Sequence, residues 1–158
     1  MPTSRSKVKT RRGPRFVRRR SRIHGYGIFA ARTIPPGTRL IEYKGALIDT
    51  AQADGRYPED ETPPHTFLFD ADTDLYIDAG IGGNSARWIN HSCDPNCETV
   101  QEGRRVFIES IRTIHSGEEL SYDYLIMLDG PHDTEAKKKW ICLCGAKNCR
   151  GTMLAPKR

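Results

Sequence analysis

Short apolar runs separated by turn-forming residues follow one another from Phe16 to the cysteine-rich end of the chain. The segment 34–38 contains two prolines and a glycine, which favours a turn between strands. Residues 104–111 alternate polar and apolar, with Val106 and Ile108 on one face, as in a half-buried strand. The predicted strands are 28–30, 39–43, 66–69, 75–77, 104–111 and 120–124.

Helical signals are few and short. Residues 85–90 predict one helical turn, and residues 134–140 predict a short helix before the cysteines. Residues 51–64 are polar and contain three prolines and a glycine, so we expect a loop there. Long amphipathic helices, a βαβ rhythm and internal repeats are all missing from the sequence. The fold class is therefore predicted to be mainly β with short helices (α+β).

Charge is distributed unevenly along the 158 residues, a length that suits one domain. Residues 1–22 hold ten of the 25 basic residues and none of the 20 acidic ones, so the remainder carries a formal charge of −5. We expect a basic flexible arm at 1–14, which either contacts nucleic acid or an acidic partner weakly or is a solvated tail. The acidic remainder suits a basic peptide. Neither a membrane-spanning stretch nor a cleavable secretion signal is predicted.

Five cysteines are present, and three of them follow the pattern Cys142-x-Cys144-x4-Cys149. An odd number of cysteines in a chain without a secretion signal argues against a closed disulfide framework. The close spacing favours a metal site over free thiols, which remain the alternative.

Five ordered blocks resemble the SET domain and the zinc module that follows it in many SET proteins. The first four blocks are 24–30 (HGYGIFA), 42–45 (EYKG), 90–93 (NHSC) and 117–124 (GEELSYDY), and the fifth is 142–151. Each block alone is modest support, but their order along the chain is specific. The resemblance implies a SET-domain fold of small sheets with a threaded pseudoknot, with a SET domain at 15–128 and a post-SET zinc-binding segment at 129–158.

The resemblance further implies transfer of a methyl group from S-adenosylmethionine to lysine in a basic protein, such as a histone or histone-like protein. Taken alone, a Gly-Tyr-Gly sequence is more often a plain turn than a binding loop, and an Asn-His pair is more often a hydrogen-bonded pair than a site. By resemblance, both contact the cofactor, the histidine through its backbone, and a leucine between two cysteines packs on the adenine. The cofactor-binding residues expected on this basis are Gly25, Tyr26, Gly27, Asn90, His91 and Leu143.

Tyr122 and Tyr124 lie two residues apart, which on a strand places both rings on one face. Ordinary core packing would explain this spacing. The resemblance instead implies that Tyr124 is catalytic and that Tyr43 lines the lysine channel. It also implies that Tyr122 influences how many methyl groups are added, and a tyrosine there predicts mainly monomethylation.

The resemblance implies one structural zinc ion held by Cys93, Cys142, Cys144 and Cys149. Cys97 is left over, although it is near enough in sequence to compete with Cys93. Two other classes of function stay open: a catalytically silent SET module that binds basic tails, and a zinc-containing nucleic-acid-binding protein. The expected location is nuclear for a eukaryotic source or delivery to a host, and cytoplasmic for a bacterial one. The oligomeric state is not predicted.

Overall fold

The computed structural model describes residues 14–58 and 67–156. Within these ranges ten short strands are accompanied by two short helices and one 3-10 turn. The strands are β1 (Phe16–Arg20), β2 (Tyr26–Ala30), β3 (Arg39–Glu42), β4 (Ala46–Asp49), β5 (Leu68–Asp72), β6 (Leu75–Asp78), β7 (Asn90–His91), β8 (Cys97–Glu102), β9 (Arg105–Ser110) and β10 (Ser121–Tyr122). The helices are α1 (Thr50–Arg56) and α2 (Thr134–Lys139), and the 3-10 turn is Ser85–Trp88. The prediction of a mainly β class is confirmed.

The described strands form four small sheets. Two sheets have three strands each, in the orders β3-β9-β8 and β4-β6-β5, and all their pairings are antiparallel. Strand β1 pairs with β2, and β7 pairs in parallel with β10 although the two are far apart in sequence. None of the helices within the described ranges is both long and apolar enough to cross a membrane.

Strand β9 is more deeply buried than its alternating sequence predicts. Val106 and Ile108 are fully buried, as expected, but Phe107 on the opposite face is only 8% exposed. The guanidinium carbon of Arg39 lies 4.0 Å from the centre of the Phe107 ring and thereby covers it.

The predicted loop at 51–64 is wrong in its first part, where α1 forms. A capping box starts this helix: the Asp49 carboxylate accepts the Gln52 N–H at 2.8 Å, and the Gln52 side chain accepts the Asp49 N–H at 3.0 Å. Residues 59–66 lie outside the described residues, as does the start of the predicted strand at 66–69, which is observed from Leu68. The prediction did not include β1, β4, β7 or β8.

The parallel pair β7–β10 brings the NHSC block beside the GEELSYDY block, with Asn90 opposite Ser121 and His91 opposite Tyr122. The chain after α2 then returns to this region, because Ile126 pairs with Leu154 in an isolated parallel bridge. The pseudoknot threading and the domain boundaries stay predictions, and the predicted arm lies outside the described residues up to 13.

Candidate functional site

A cluster of aromatic rings surrounds the end of β10. The rings of Tyr122 and Tyr124 lie 4.8 Å apart, and the ring of Phe69 lies 6.4 Å from that of Tyr122. Tyr43 packs against Phe69 at 5.3 Å, and its hydroxyl donates to the Phe67 carbonyl at 2.8 Å. The three tyrosines predicted to act in catalysis therefore share one aromatic cluster.

Tyr122 in β10 and Tyr124 just after this strand are both neutral phenols. Burial raises the pKa of Tyr122 and Tyr124 well above the ordinary value for tyrosine. The Tyr124 hydroxyl donates to the carbonyl of Ile89, and its backbone N–H donates to Nδ1 of His91 at 2.9 Å. Hydrogen bonds from its backbone and from its hydroxyl thus fix the position of Tyr124, so that its ring can orient a ligand. The hydroxyl is not a phenolate base at neutral pH.

Tyr124 lies between two pockets. The first pocket is lined by residues from the segment before Gly25, from β7 and from the C-terminal segment, including Ile23, His24, Asn90, His91, Cys142 and Leu143. The second is lined by aromatic, apolar and acidic residues, including Phe69, Asp70, Tyr122, Leu125, Met127 and Trp140. Tyr124 lines both. Two molecules bound in these pockets would meet at its ring.

Asn90 ties the glycine turn to the first pocket. Its side-chain amide donates to the carbonyls of His24 at 3.1 Å and Tyr26 at 3.0 Å, and to Oε1 of Glu119 at 2.9 Å. The turn itself is close-packed, because a Cβ on Gly27 would overlap that carboxylate.

Not every predicted cofactor residue lines the first pocket. Asn90, His91 and Leu143 do, and Leu143 is 56% exposed at its rim. Gly25, Tyr26 and Gly27 are not part of its lining, which reaches the turn only through Ile23 and His24. The Tyr26 ring instead packs edge-on against Trp88 at 5.9 Å.

His91 connects the pocket to the cysteines. Since its Nδ1 accepts a hydrogen bond from Tyr124, the proton of the neutral ring is on Nε2, which lies 3.4 Å from Sγ of Cys93. Burial lowers the pKa of His91 to about 4, so the ring is neutral at pH 7. With both nitrogens engaged, the side chain is not available as a general base.

The sulfurs of Cys93, Cys142, Cys144 and Cys149 all lie within 4.8 Å of one another. The Sγ of Cys93 is 3.8 Å from that of Cys142 and 4.0 Å from that of Cys149. Tetrahedral zinc with Zn–S bonds of about 2.3 Å needs sulfurs about 3.8 Å apart, so the four thiols fit this ion. Cys97 is buried elsewhere, with its thiol 3.4 Å from Oδ1 of Asn96, and is not part of the cluster.

Backbone amides point at the cysteine sulfurs. The N–H of Arg150 donates to Cys93, that of Cys144 to Cys142 and that of Gly151 to Cys149, at 3.3–3.4 Å. Burial would raise the pKa of Cys144, but hydrogen bonds from the backbone and neighbouring thiols outweigh it and lower this pKa to about 6. Burial raises the pKa of Cys142. The cluster accommodates one thiolate readily, whereas four thiolates need a cation among them.

Three further residues hold the C-terminal segment against the site, and the sequence reasoning did not single them out. The Asp123 carboxylate receives a two-pronged ion pair from Arg150 at 2.7 and 2.9 Å. His132 accepts the Leu128 N–H at 3.1 Å on Nε2, and its Nδ1 lies 2.8 Å from the Ala155 carbonyl. Asp123 lies inside the GEELSYDY block, which was the only signal for it. Nothing in the sequence pairs it with Arg150 or marks His132.

Comparison with known proteins identifies the family to which this arrangement of residues belongs. Residues 25–125 match the model of the SET domain. The chain belongs to the SET-domain family. The matched range contains the glycine turn, both tyrosines of the GEELSYDY block and Cys93, whereas the other three clustered cysteines follow it.

Several SET proteins are similar to this chain. It is 41% identical over 139 residues to the histone-lysine N-methyltransferase trr of Drosophila melanogaster and 41% identical over 138 residues to set-2 of Caenorhabditis elegans. It is 40% identical over 140 residues to the histone-lysine N-methyltransferase SETD1B of Homo sapiens. These alignments cover 85%, 84% and 85% of this chain but only 6%, 9% and 7% of the relatives.

Proposed function

We propose that this SET domain transfers a methyl group from S-adenosylmethionine to the side-chain amine of lysine in a basic protein, a histone or a histone-like protein. The observation that carries the proposal is the pair of pockets that share Tyr124. A methyl donor in one pocket and an amine in the other could approach each other in line at this ring. Relatives named histone-lysine N-methyltransferases support the same reaction.

The first pocket is the proposed site of S-adenosylmethionine, which supplies a sulfonium methyl group as the electrophile. Asn90 would hold the glycine turn against it, and the backbone of His91 would face the adenine. Leu143 and Ile141, both more than half exposed at the rim, would lose water contact when the adenine packs on them. The four clustered cysteines would hold a structural zinc ion that fixes this rim.

The second pocket is the proposed lysine channel. A free lysine has a pKa of about 10.4 and must lose its proton before its nitrogen can attack. Burial beside Tyr122 and Tyr124 lowers that pKa, and so does a neighbouring positive charge. Tyr43 packs behind these rings, outside the lining of the pocket, and its place at the channel stays a prediction. Because the tyrosines are neutral and His91 is fully engaged, the proton would leave through water. The side chains of the site therefore align the amine and exclude bulk solvent.

Charge supports a basic protein substrate, and the relatives support a nuclear one. The chain after residue 22 is acidic overall, which favours a basic tail, and Asp70 lines the second pocket. We propose a nuclear location on the basis of the relatives' names.

The test is a methyl-transfer assay with zinc-loaded protein, labelled S-adenosylmethionine and a panel of basic proteins that includes histones. We expect label on lysine, located by mass spectrometry. Cofactor binding without transfer to any panel member would favour a silent module that binds basic tails. Failure to bind the cofactor at all would contradict the proposal.

We expect Tyr122→Phe to raise the proportion of di- and trimethylated product. Tyr122 is buried and lines the second pocket, so its hydroxyl can hold a water or the amine where a further methyl group would otherwise fit. Mass spectrometry of a lysine peptide at matched conversion measures the ratio. Tyr57→Phe removes a hydroxyl that donates to Asp78 and lies in neither pocket lining, so it should leave the ratio unchanged. An unaltered ratio in Tyr122→Phe would count against mainly monomethylation.

We expect Gly27→Ala to weaken S-adenosylmethionine binding about tenfold, because the displaced Glu119 carboxylate shifts Asn90, which holds the glycine turn beside the first pocket. The added methyl group would displace the Glu119 carboxylate that accepts from Asn90, and it would lie 3.1 Å from Cβ of Ser21. Isothermal titration calorimetry measures the affinity. In Gly55→Ala the new methyl group meets nothing within 4 Å, so the affinity should be unchanged and α1 slightly stabilised. Equal affinities for the two variants would contradict the proposed role of the turn.

A further inference from the structure

Strand β1 presents a row of arginines with no acidic partner. Arg18, Arg19 and Arg20 are all exposed, and so is Arg22 just beyond the strand. Within residues 14–58 and 67–156, none of these four forms an ion pair with a carboxylate. By contrast, six arginines elsewhere in the described ranges do so: Arg39, Arg56, Arg104, Arg105, Arg112 and Arg150. Arg15, Arg32 and Arg87 also lack a carboxylate partner within these ranges, but Arg18, Arg19, Arg20 and Arg22 bring four such arginines together within five positions.

Aromatic rings hold two of these arginines in place. The guanidinium carbon of Arg18 lies 4.9 Å from the centre of the Tyr26 ring and 5.7 Å from that of Trp88. That of Arg20 lies 5.8 Å from the Tyr26 ring on the same face. These contacts restrain long side chains while their donors stay free, which reduces the entropy lost on binding an anion. Tyr26 is itself 42% exposed between them.

The geometry of β1 suits an extended anion. Alternate residues of a strand are about 6.8 Å apart on one face, so Arg18 and Arg20 form an evenly spaced pair on the face of Tyr26. Arg19 points to the opposite face and Arg22 follows the strand, so arginines flank β1 on both faces. Among the described residues β1 pairs only with β2, which leaves its other edge without a strand partner. The segment that leads into β1 adds six more basic residues, at positions 5, 7, 9, 11, 12 and 15. A single aspartate or glutamate side chain would contact only some of these arginines, whereas an extended polyanion can contact all of them.

We propose that β1 is a docking strand for nucleic acid, which binds the phosphate backbone through Arg18, Arg19, Arg20 and Arg22. Planar guanidinium groups bind phosphates in two-pronged fashion, and exposed Tyr26 offers a stacking surface for an unpaired base or a sugar. None of the four arginines lines either pocket, so nucleic acid on β1 leaves both pockets open. The interaction is independent of sequence, because it is directed at phosphates.

The test is fluorescence anisotropy with a labelled mixed-sequence DNA duplex, titrated with the full chain at several salt concentrations. Neither cofactor nor lysine substrate is present, so the outcome does not depend on methyl transfer. The test variant is Arg18→Gln/Arg20→Gln, and the matched control is Arg104→Gln/Arg105→Gln, which removes the same charge from exposed, ion-paired arginines. We expect the slope of log K against log salt to fall by about 2 in the test variant only.

A second variant shows whether weaker binding by the first comes from the lost charge or from a folding defect. Arg19→Gln/Arg22→Gln leaves the contacts of Tyr26 and Trp88 intact and should lower the slope by a similar amount, about 2. The proposal is overturned if both β1 variants bind DNA like the unaltered chain, or if the Arg104→Gln/Arg105→Gln control weakens binding equally. It is also overturned if polyglutamate or anionic lipid vesicles compete with DNA at equal charge, which would indicate an acidic protein or a membrane surface.

Discussion

Tyr124→Phe is expected to reduce kcat for methyl transfer by about 10²–10³-fold, the usual cost of removing one positioned hydrogen-bond donor from a reaction centre. The Tyr124 hydroxyl holds the Ile89 carbonyl, and its ring separates the two pockets. Phenylalanine keeps the ring but releases that carbonyl next to the point where donor and acceptor meet. Because the cofactor pocket keeps its other walls, the affinity for S-adenosylmethionine should change little.

Steady-state kinetics and calorimetry on the same preparation separate these two effects. Tyr57→Phe is the matched control, since it removes a hydroxyl that donates to buried Asp78 at 2.8 Å, outside both pocket linings. We expect this control to lose about 1 kcal/mol of stability and to keep its kcat. A Tyr124→Phe enzyme with more than half of the original kcat would rule out a catalytic role for the hydroxyl.

Loss of one clustered cysteine is expected to abolish both cofactor binding and activity. Removing Cys142 leaves three sulfurs for a tetrahedral ion, and the free energy of binding a structural zinc ion is also free energy of folding. Residues around the cluster line both pockets: Cys142 and Leu143 line the first, and Trp140 lines the second. Cys142→Ser should therefore lower the melting temperature, the zinc content and the affinity for S-adenosylmethionine together.

Elemental analysis by mass spectrometry gives the zinc content per chain, which we expect to be one in the unaltered protein. Cys97→Ala is the control, because Cys97 is a buried thiol outside the cluster. It should keep one zinc ion per chain, with only the modest destabilisation of a small core cavity. A Cys142→Ser protein that retains a full equivalent of zinc would show that the four sulfurs are not the ligand set.

The class of fold follows from the sequence because apolar runs and turn residues act locally. The strands at Ile28, Leu40 and Val106 and the helix at Thr134 are where the pattern predicts them. Helix α1 was missed because Pro58, Pro63 and Pro64 weighed against helix for the whole segment, whereas the reciprocal hydrogen bonds between Asp49 and Gln52 start the helix ahead of them. A capping box is easily overlooked when helix-breaking prolines follow it closely in the sequence.

The candidate site joins residues that are far apart in sequence, so no local sequence pattern predicts their contacts. Grouping Cys93 with the three later cysteines rested on family resemblance, and so did the position of Tyr124 at a channel. The ion pair between Asp123 and Arg150 and the bridge made by His132 join segments that are unrelated in sequence. Gly25 and Gly27 lie next to the first pocket without lining it, so their contact with the cofactor stays a prediction.

The return of the C-terminal segment to the centre of the molecule has a consequence for synthesis. Ile126 exchanges backbone hydrogen bonds with Met153 and Ala155, and Met153 lines the first pocket. During translation, the strands up to β10 can form before these residues leave the ribosome, but the pocket wall cannot. The wall of the first pocket is therefore complete only once residue 155 has emerged, however early the sheets form.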